Sequence, residues 1–177
     1  MTGGSQFKTP VYAVAAVAIL SLWGSARVLA EGDQSVPFVA ALSGAAVLDL
    51  GRAEARCSGE GIATHLGVTM SECTAALDLA NYRPYDECAG EGTGYGLPNI
   101  NTMRLTAANG DKLVLVSVDL ACELVQLTSF HGTGSWSVDT SASTGRFANA
   151  TGSGQLDGNV DFFAGTVHVN LIGEILY

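Results

Sequence analysis

Apolar and polar residues alternate with period two along much of this chain, and no stretch carries a long, capped apolar period of 3.6. The best alternating segment is Gly61–Ser71, GIATHLGVTMS. Ile62, Leu66, Val68 and Met70 share one face with Thr64, while Ala63, His65, Gly67, Thr69 and Ser71 share the other, which predicts one continuous half-buried strand. Met103–Leu120 reads as a hairpin, because Asn109-Gly110-Asp111 separates two β-prone runs and Asn-Gly accepts the positive φ angles of a tight turn. On its outgoing strand Val114, Val116, Val118 and Leu120 face one way and Leu113 and Leu115 the other, so burial on both sides is expected there. Further strands are predicted at Val36–Leu48, His131–Asp139, Gly152–Phe162 and Thr166–Ile175. In the last, Val167, Val169 and Leu171 oppose Thr166, His168 and Asn170.

Residues 75–100 break the rhythm with prolines, glycines and three tyrosines, and read as a long loop with one helical turn near Ala75–Asn81. A loop of that length in a compact domain is usually functional or crosslinked, and Cys88 favours the crosslink. The pattern is all-β: a single antiparallel barrel, whose closure removes exposed edges, with a β-sandwich as the alternative.

The first thirty residues are of another kind. Lys8 precedes the apolar run Val11–Trp23, and small residues follow up to Val28 and Ala30. That order predicts a secretory signal peptide over residues 1–30, cleaved after Ala30, and a single domain over 31–177. Arg27 interrupts the run too early for a spanning helix, and with no cysteine near the site a lipidated N-terminus is not expected. Processing removes Lys8 and Arg27 and no acid, so the eight basic residues fall to six against 17 acidic ones, a net charge near −11. Such a surface repels phosphate backbones and anionic lipid, which argues against nucleic-acid binding and membrane attachment.

Cys57, Cys73, Cys88 and Cys122 all lie after the signal segment, and an even count in an oxidising compartment predicts two disulfides. None has the spacing of a zinc site or of a Cys-x-x-Cys redox pair. If Gly61–Ser71 is one strand, Cys57 and Cys73 sit near its opposite ends, roughly 50 Å apart when extended. Bridged Cα atoms must come within about 7 Å, so the expected pairs are Cys73–Cys122 and Cys57–Cys88.

Candidate chemistry is sparse. His65 and His168 fall on the polar faces of their segments, with no His-x-His pair and no carboxylate at ligand spacing. Asp157, Asn159 and Asp161 alternate like the start of a calcium loop, but Phe162 occupies the glycine position and the distal glutamate is missing, so a strand's solvent face explains them better. Gly152-Ser153-Gly154 lacks the strand-to-helix context of a nucleophile elbow. Asn149-Ala150-Thr151 is a glycosylation sequon only in a eukaryotic secretory pathway. Tyr82, Tyr85 and Tyr95 cluster in the long loop and are expected to pack it against the barrel. No cofactor or metal is indicated.

Three segments, ATHLGVT at Ala63–Thr69, TAANGDKL at Thr106–Leu113 and STGRFANATGSG at Ser143–Gly154, together resemble small exported bacterial proteins related to the allene oxide cyclase and dirigent barrel superfamily. The resemblance spans roughly Gly59–Tyr177 and implies an eight-stranded antiparallel barrel around an apolar interior. In the third segment Gly145 and Gly152 suit positive φ or close strand approach, Arg146 can pair with an acid, and Phe147 can plug a barrel end. In the plant cyclases the lumen binds a fatty-acid epoxide, and in dirigent proteins it orients phenoxy radicals; the catalytic residues of neither map onto this chain. Two readings follow: a non-catalytic extracytoplasmic barrel that binds a small apolar ligand or is structural, or an isomerase or cyclase acting on a lipid-like substrate. The enzyme reading requires an ionisable group in an otherwise apolar pocket, and Glu72, Glu123 and Asp119 are the acids to inspect.

Overall fold

The computed structural model describes residues 35–177, and the expected signal segment lies outside the described residues. Nine strands follow in order: β1 (Val36–Asp49), β2 (Glu54–Ala63), β3 (Gly67–Leu77), β4 (Arg83–Pro84), β5 (Tyr95–Ala107), β6 (Lys112–Val125), β7 (Ser129–Val138), β8 (Thr151–Asp161) and β9 (Thr166–Leu176). Pairings β1–β9 and β3–β5 close a circle of eight antiparallel strands, each beside its neighbour in sequence, while the two-residue β4 lies outside on the start of β5. This is a closed barrel and excludes the sandwich. The outer wall mixes polar and charged residues, among them Arg56, Glu60, Glu72, Arg104, His168 and Glu174, with exposed apolar ones such as Ile62, Val68 and Ile172. No helix among the described residues is long and apolar enough to cross a membrane.

Most predicted strands stand where the alternation put them, and Ala107 to Asp111 form the expected tight turn with Gly110 at φ +89°. The segment Gly61–Ser71 is a correction. The chain reverses at Thr64–Leu66, with His65 at φ +66° and Gly67 at φ +73°, so β2 and β3 form a hairpin. Thr64 Oγ1 accepts a hydrogen bond from the Val39 amide at 2.9 Å and anchors the turn on β1. The register pairs Ile62 with Val68 and Glu60 with Met70. Both members of each pair have the same parity, so the alternation runs through the turn unbroken. The faces are also inverted: Ile62, Val68 and Met70 point outward, while Ala63, Thr69 and Ser71 are buried.

The cysteine pairing is corrected with it. Cys57 and Cys73 are direct partners across β2 and β3, 4.9 Å apart at Cα, and form one disulfide; Cys88 and Cys122 form the other. The long loop is shorter than expected, because β3 continues to Leu77 and β5 begins at Tyr95; it holds two 3-10 turns, at Leu79–Asn81 and Asp86–Cys88.

One end of the barrel is filled. Phe38, Trp136, Leu105, Leu113 and Leu171 pack in the upper lumen, and Phe147 closes it from the loop between β7 and β8. The Phe147 ring meets Tyr177 edge-on at 5.2 Å, and Arg146 Nε approaches Asp111 Oδ2 at 3.5 Å, tying the plug to the Asn-Gly turn. The same loop covers Val114, whose amide donates to Ser143 Oγ at 3.0 Å, which explains its burial on the outer face of β6. Trp136 needs space: a Cβ on Gly154 or on Gly173, its cross-strand partner, would sit 2.6 Å from the indole Cζ2.

Candidate functional site

The inward face of β5 and β6 changes character halfway down. Leu105 and Met103 give way to Asn101 and Asn99, and Leu113 and Leu115 give way to Ser117 and Asp119. Register sets Asn101 opposite Ser117 and Asn99 opposite Asp119, so one wall of the lower lumen carries four polar side chains. The facing wall, from β8, β9, β1 and β2, is built of Leu156, Gly158, Val167, Val169, Ala46 and Ala55. Between them lies a cavity of about 110 Å³, which the Cys57–Cys73 disulfide also lines.

Asp119 is 7% exposed. Its Oδ2 accepts a hydrogen bond from Ser117 Oγ at 3.0 Å, while its Oδ1 and the Oδ1 of Asn101 have no partner. Burial pushes its carboxyl up to about 6, against the opposing pull of the Ser117 hydroxyl. A carboxyl of this kind can accept a donor, pair with a cation or exchange a proton near neutral pH.

The lower end opens into an apolar mouth of about 170 Å³ lined by Leu48, Leu50, Leu79, Tyr82, Leu127 and residues shared with the lumen cavity: Leu97, Phe130 and Phe162. The loop 78–94 stands over this mouth and is fastened in three places. The Cys88–Cys122 disulfide ties it to β6. Glu123, 1% exposed, receives Tyr82 Oη at 2.6 Å, Thr93 Oγ1 at 2.5 Å and the Leu127 amide at 2.6 Å. Burial would raise the Glu123 carboxyl, but these three donors hold it below its ordinary value, and burial together with the Glu123 contact drives the Tyr82 hydroxyl upward. Outside, His131 lies between Asp157 Oδ2 at 3.0 Å and Glu91 Oε2 at 2.9 Å, and hydrogen bonds to these carboxylates, Asp157 first, raise its pKa.

Of the three acids singled out from sequence, Asp119 lies in the lumen, Glu123 fastens the loop, and Glu72 is exposed on the outer wall, 3.0 Å from Arg104. His65 sits in the β2–β3 turn with Nε2 3.0 Å from the Pro37 carbonyl, and His168 faces outward on β9. Asp161 Oδ1 receives the amides of Phe163 and Ala164 and caps the β8–β9 turn, while Asn159 and Ser153 lie exposed on β8. Tyr82 and Tyr95 meet in a tilted contact with ring centroids 5.2 Å apart, and Arg83 lies over Tyr85. The lumen residues Asn99, Asn101 and Ser117 and the His131 clasp went unread in the sequence. The apolar-to-polar switch at one parity of β5 and β6 was the available signal for the first three; His131 had none, since its partners lie far along the chain.

Together the features define a class: a closed antiparallel barrel, plugged at one end and hollow at the other, with a single carboxyl in the hollow. Comparison with family models, curated proteins and solved structures finds no match to this chain.

Proposed function

We propose that this is an exported small-ligand-binding barrel whose lower lumen takes a compact apolar molecule bearing a hydrogen-bond donor. The observation that carries the reading is Asp119, a buried carboxyl with an unpartnered Oδ1, in the polar wall of a cavity whose facing wall is apolar and which leads to an apolar mouth. Two disulfides and the signal-like residues 1–30 support an oxidising, extracytoplasmic location. Titrating the oxidised protein with toluene or phenol in a ¹⁵N–¹H correlation experiment tests it. Saturable shifts at Asn101, Asp119, Phe130 and Leu156 are expected; probes that leave these amides unmoved defeat the reading.

A second reading rests on the pKa of Asp119 and on the resemblance to the allene oxide cyclase barrels. A carboxyl near 6 suits general acid or base work on a rearranging lipid-like substrate. Here Asp119→Asn should abolish turnover while ligand binding survives. Turnover that persists in the variant excludes Asp119 as the proton-transfer group.

A further inference from the structure

We infer that the lumen selects a ligand carrying a protonated amine on a compact apolar body. The inference rests on the lumen being the binding site and names what that site prefers. The polar wall brings the Asp119 carboxyl and the Asn101 amide to the cavity, and the Oδ1 of each, a buried acceptor, has no hydrogen-bond partner. The complementary group must therefore bring donors, and an alkylammonium brings three together with the charge that a buried carboxylate lacks.

Among the described residues, nothing in the lumen supplies that charge. Facing Asp119 are Asn99 and Asn101 from β5 and Gly132 and Gly134 from β7, and the walls across the cavity are apolar. Glu123, four residues nearer the mouth on β6, is another acid and is committed to Tyr82, Thr93 and Leu127. Arg56 touches the cavity edge from β2, but its guanidinium is paired with Glu54. Cys57 and Cys73 are oxidised to the disulfide and do not titrate.

The approach is negative as well. The loop, the turns and the strand ends around the mouth carry Asp49, Asp78, Asp86, Glu87, Glu91 and Asp161 against Arg52 and Arg83. An acidic entrance with low-dielectric walls concentrates cations and repels carboxylates. The cavity of about 110 Å³ sets the size. It is somewhat smaller than the roughly 150 Å³ apolar cavity known to hold benzene, so the buried part of the ligand is no larger than a single ring or a short branched chain, and anything longer would have to leave through the mouth.

The test compares benzylamine with toluene, which differ by the amino group, by ¹⁵N–¹H titration of the oxidised wild type and of Asp119→Asn. At pH about 7.5 benzylamine should bind at least tenfold tighter than toluene, the ratio expected of about one charge-assisted contact. That advantage should vanish at pH about 5, where Asp119 is protonated, and in Asp119→Asn at either pH. Toluene affinity should change less than about threefold across these conditions, which also reports that the variant keeps its lumen. If toluene binds as tightly as benzylamine, or Asp119→Asn binds benzylamine like the wild type, the amine preference is overturned while the lumen remains a ligand site. If neither probe moves the lumen resonances, both readings fall.

Discussion

Asp119 in its ionised form works against folding. Its carboxyl titrates near 6 in the barrel and near 3.8 in the unfolded chain. Between those values the folded protein keeps a proton that the unfolded chain releases, so stability falls as pH rises through that window and the penalty is complete above it. Asp119→Asn should therefore stabilise the protein by about 2 kcal/mol near neutral pH, and the gain should disappear near pH 4, as measured by urea unfolding at both pH values. A residue that lowers stability where a neutral isostere would raise it fits a functional site better than a structural one. Gly173 shows the opposite logic. A methyl group there would meet the Ser153 carbonyl at 2.3 Å as well as the Trp136 ring at 2.6 Å, and neither backbone nor packed indole can yield. Gly173→Ala should destabilise by about 2 kcal/mol in the same unfolding assay.

The loop 78–94 is fastened by groups that titrate. Its outer clasp, His131 between Glu91 and Asp157, has a raised pKa in the fold. Such a group contributes its full stabilisation below the unfolded value of 6.5 and loses it as pH rises through the folded value. Hydrogen exchange of the loop amides, corrected for intrinsic rates, should thus show protection declining as pH rises above 6.5 and through the raised folded value. His131→Gln should remove that pH dependence. The inner fastenings respond differently: the depressed Glu123 carboxyl holds the loop until pH falls through its folded value, and the disulfide is indifferent to pH in this range. A loop that loosened at low rather than high pH would show that Glu123 dominates.

At the scale of the whole molecule, closure is what gives the chain a lumen. Eight strands enclose a space that side chains can fill, and here large residues fill only the upper half. Below the level of Trp136 many inward positions shrink to residues such as Ala46, Ala55, Gly132, Gly158, Asn99 and Asn101, and the hollow results. Two disulfides complete the assembly, and they fit the oxidising compartment proposed for it. Extracytoplasmic material should yield an intact mass corresponding to a chain that begins at Glu31 with both disulfides formed; a full-length chain recovered in the membrane fraction would overturn the processing.

What the sequence determined by itself was local. Alternation located β1, β7, β8 and β9 almost to the residue, Asn-Gly located the β5–β6 turn, and the Thr-Gly-Arg-Phe segment indicated a plug with Arg146 beside an acid. Each of these depends on neighbours in the chain or on the chemistry of a few adjacent residues. Tertiary structure alone decided the rest. A period of two cannot reveal a turn that preserves parity, so β2 and β3 read as one strand, and the error carried over to the cysteine partners. Nor does alternation say which face turns inward. Glu72 and Asp119 both sit in alternating strands, yet closure placed the first against Arg104 in water and the second in the lumen beside Ser117. That choice is made by register and curvature around the whole barrel, since the upper lumen, already crowded by Trp136 and Phe147, leaves β2 and β3 room for only small residues inside.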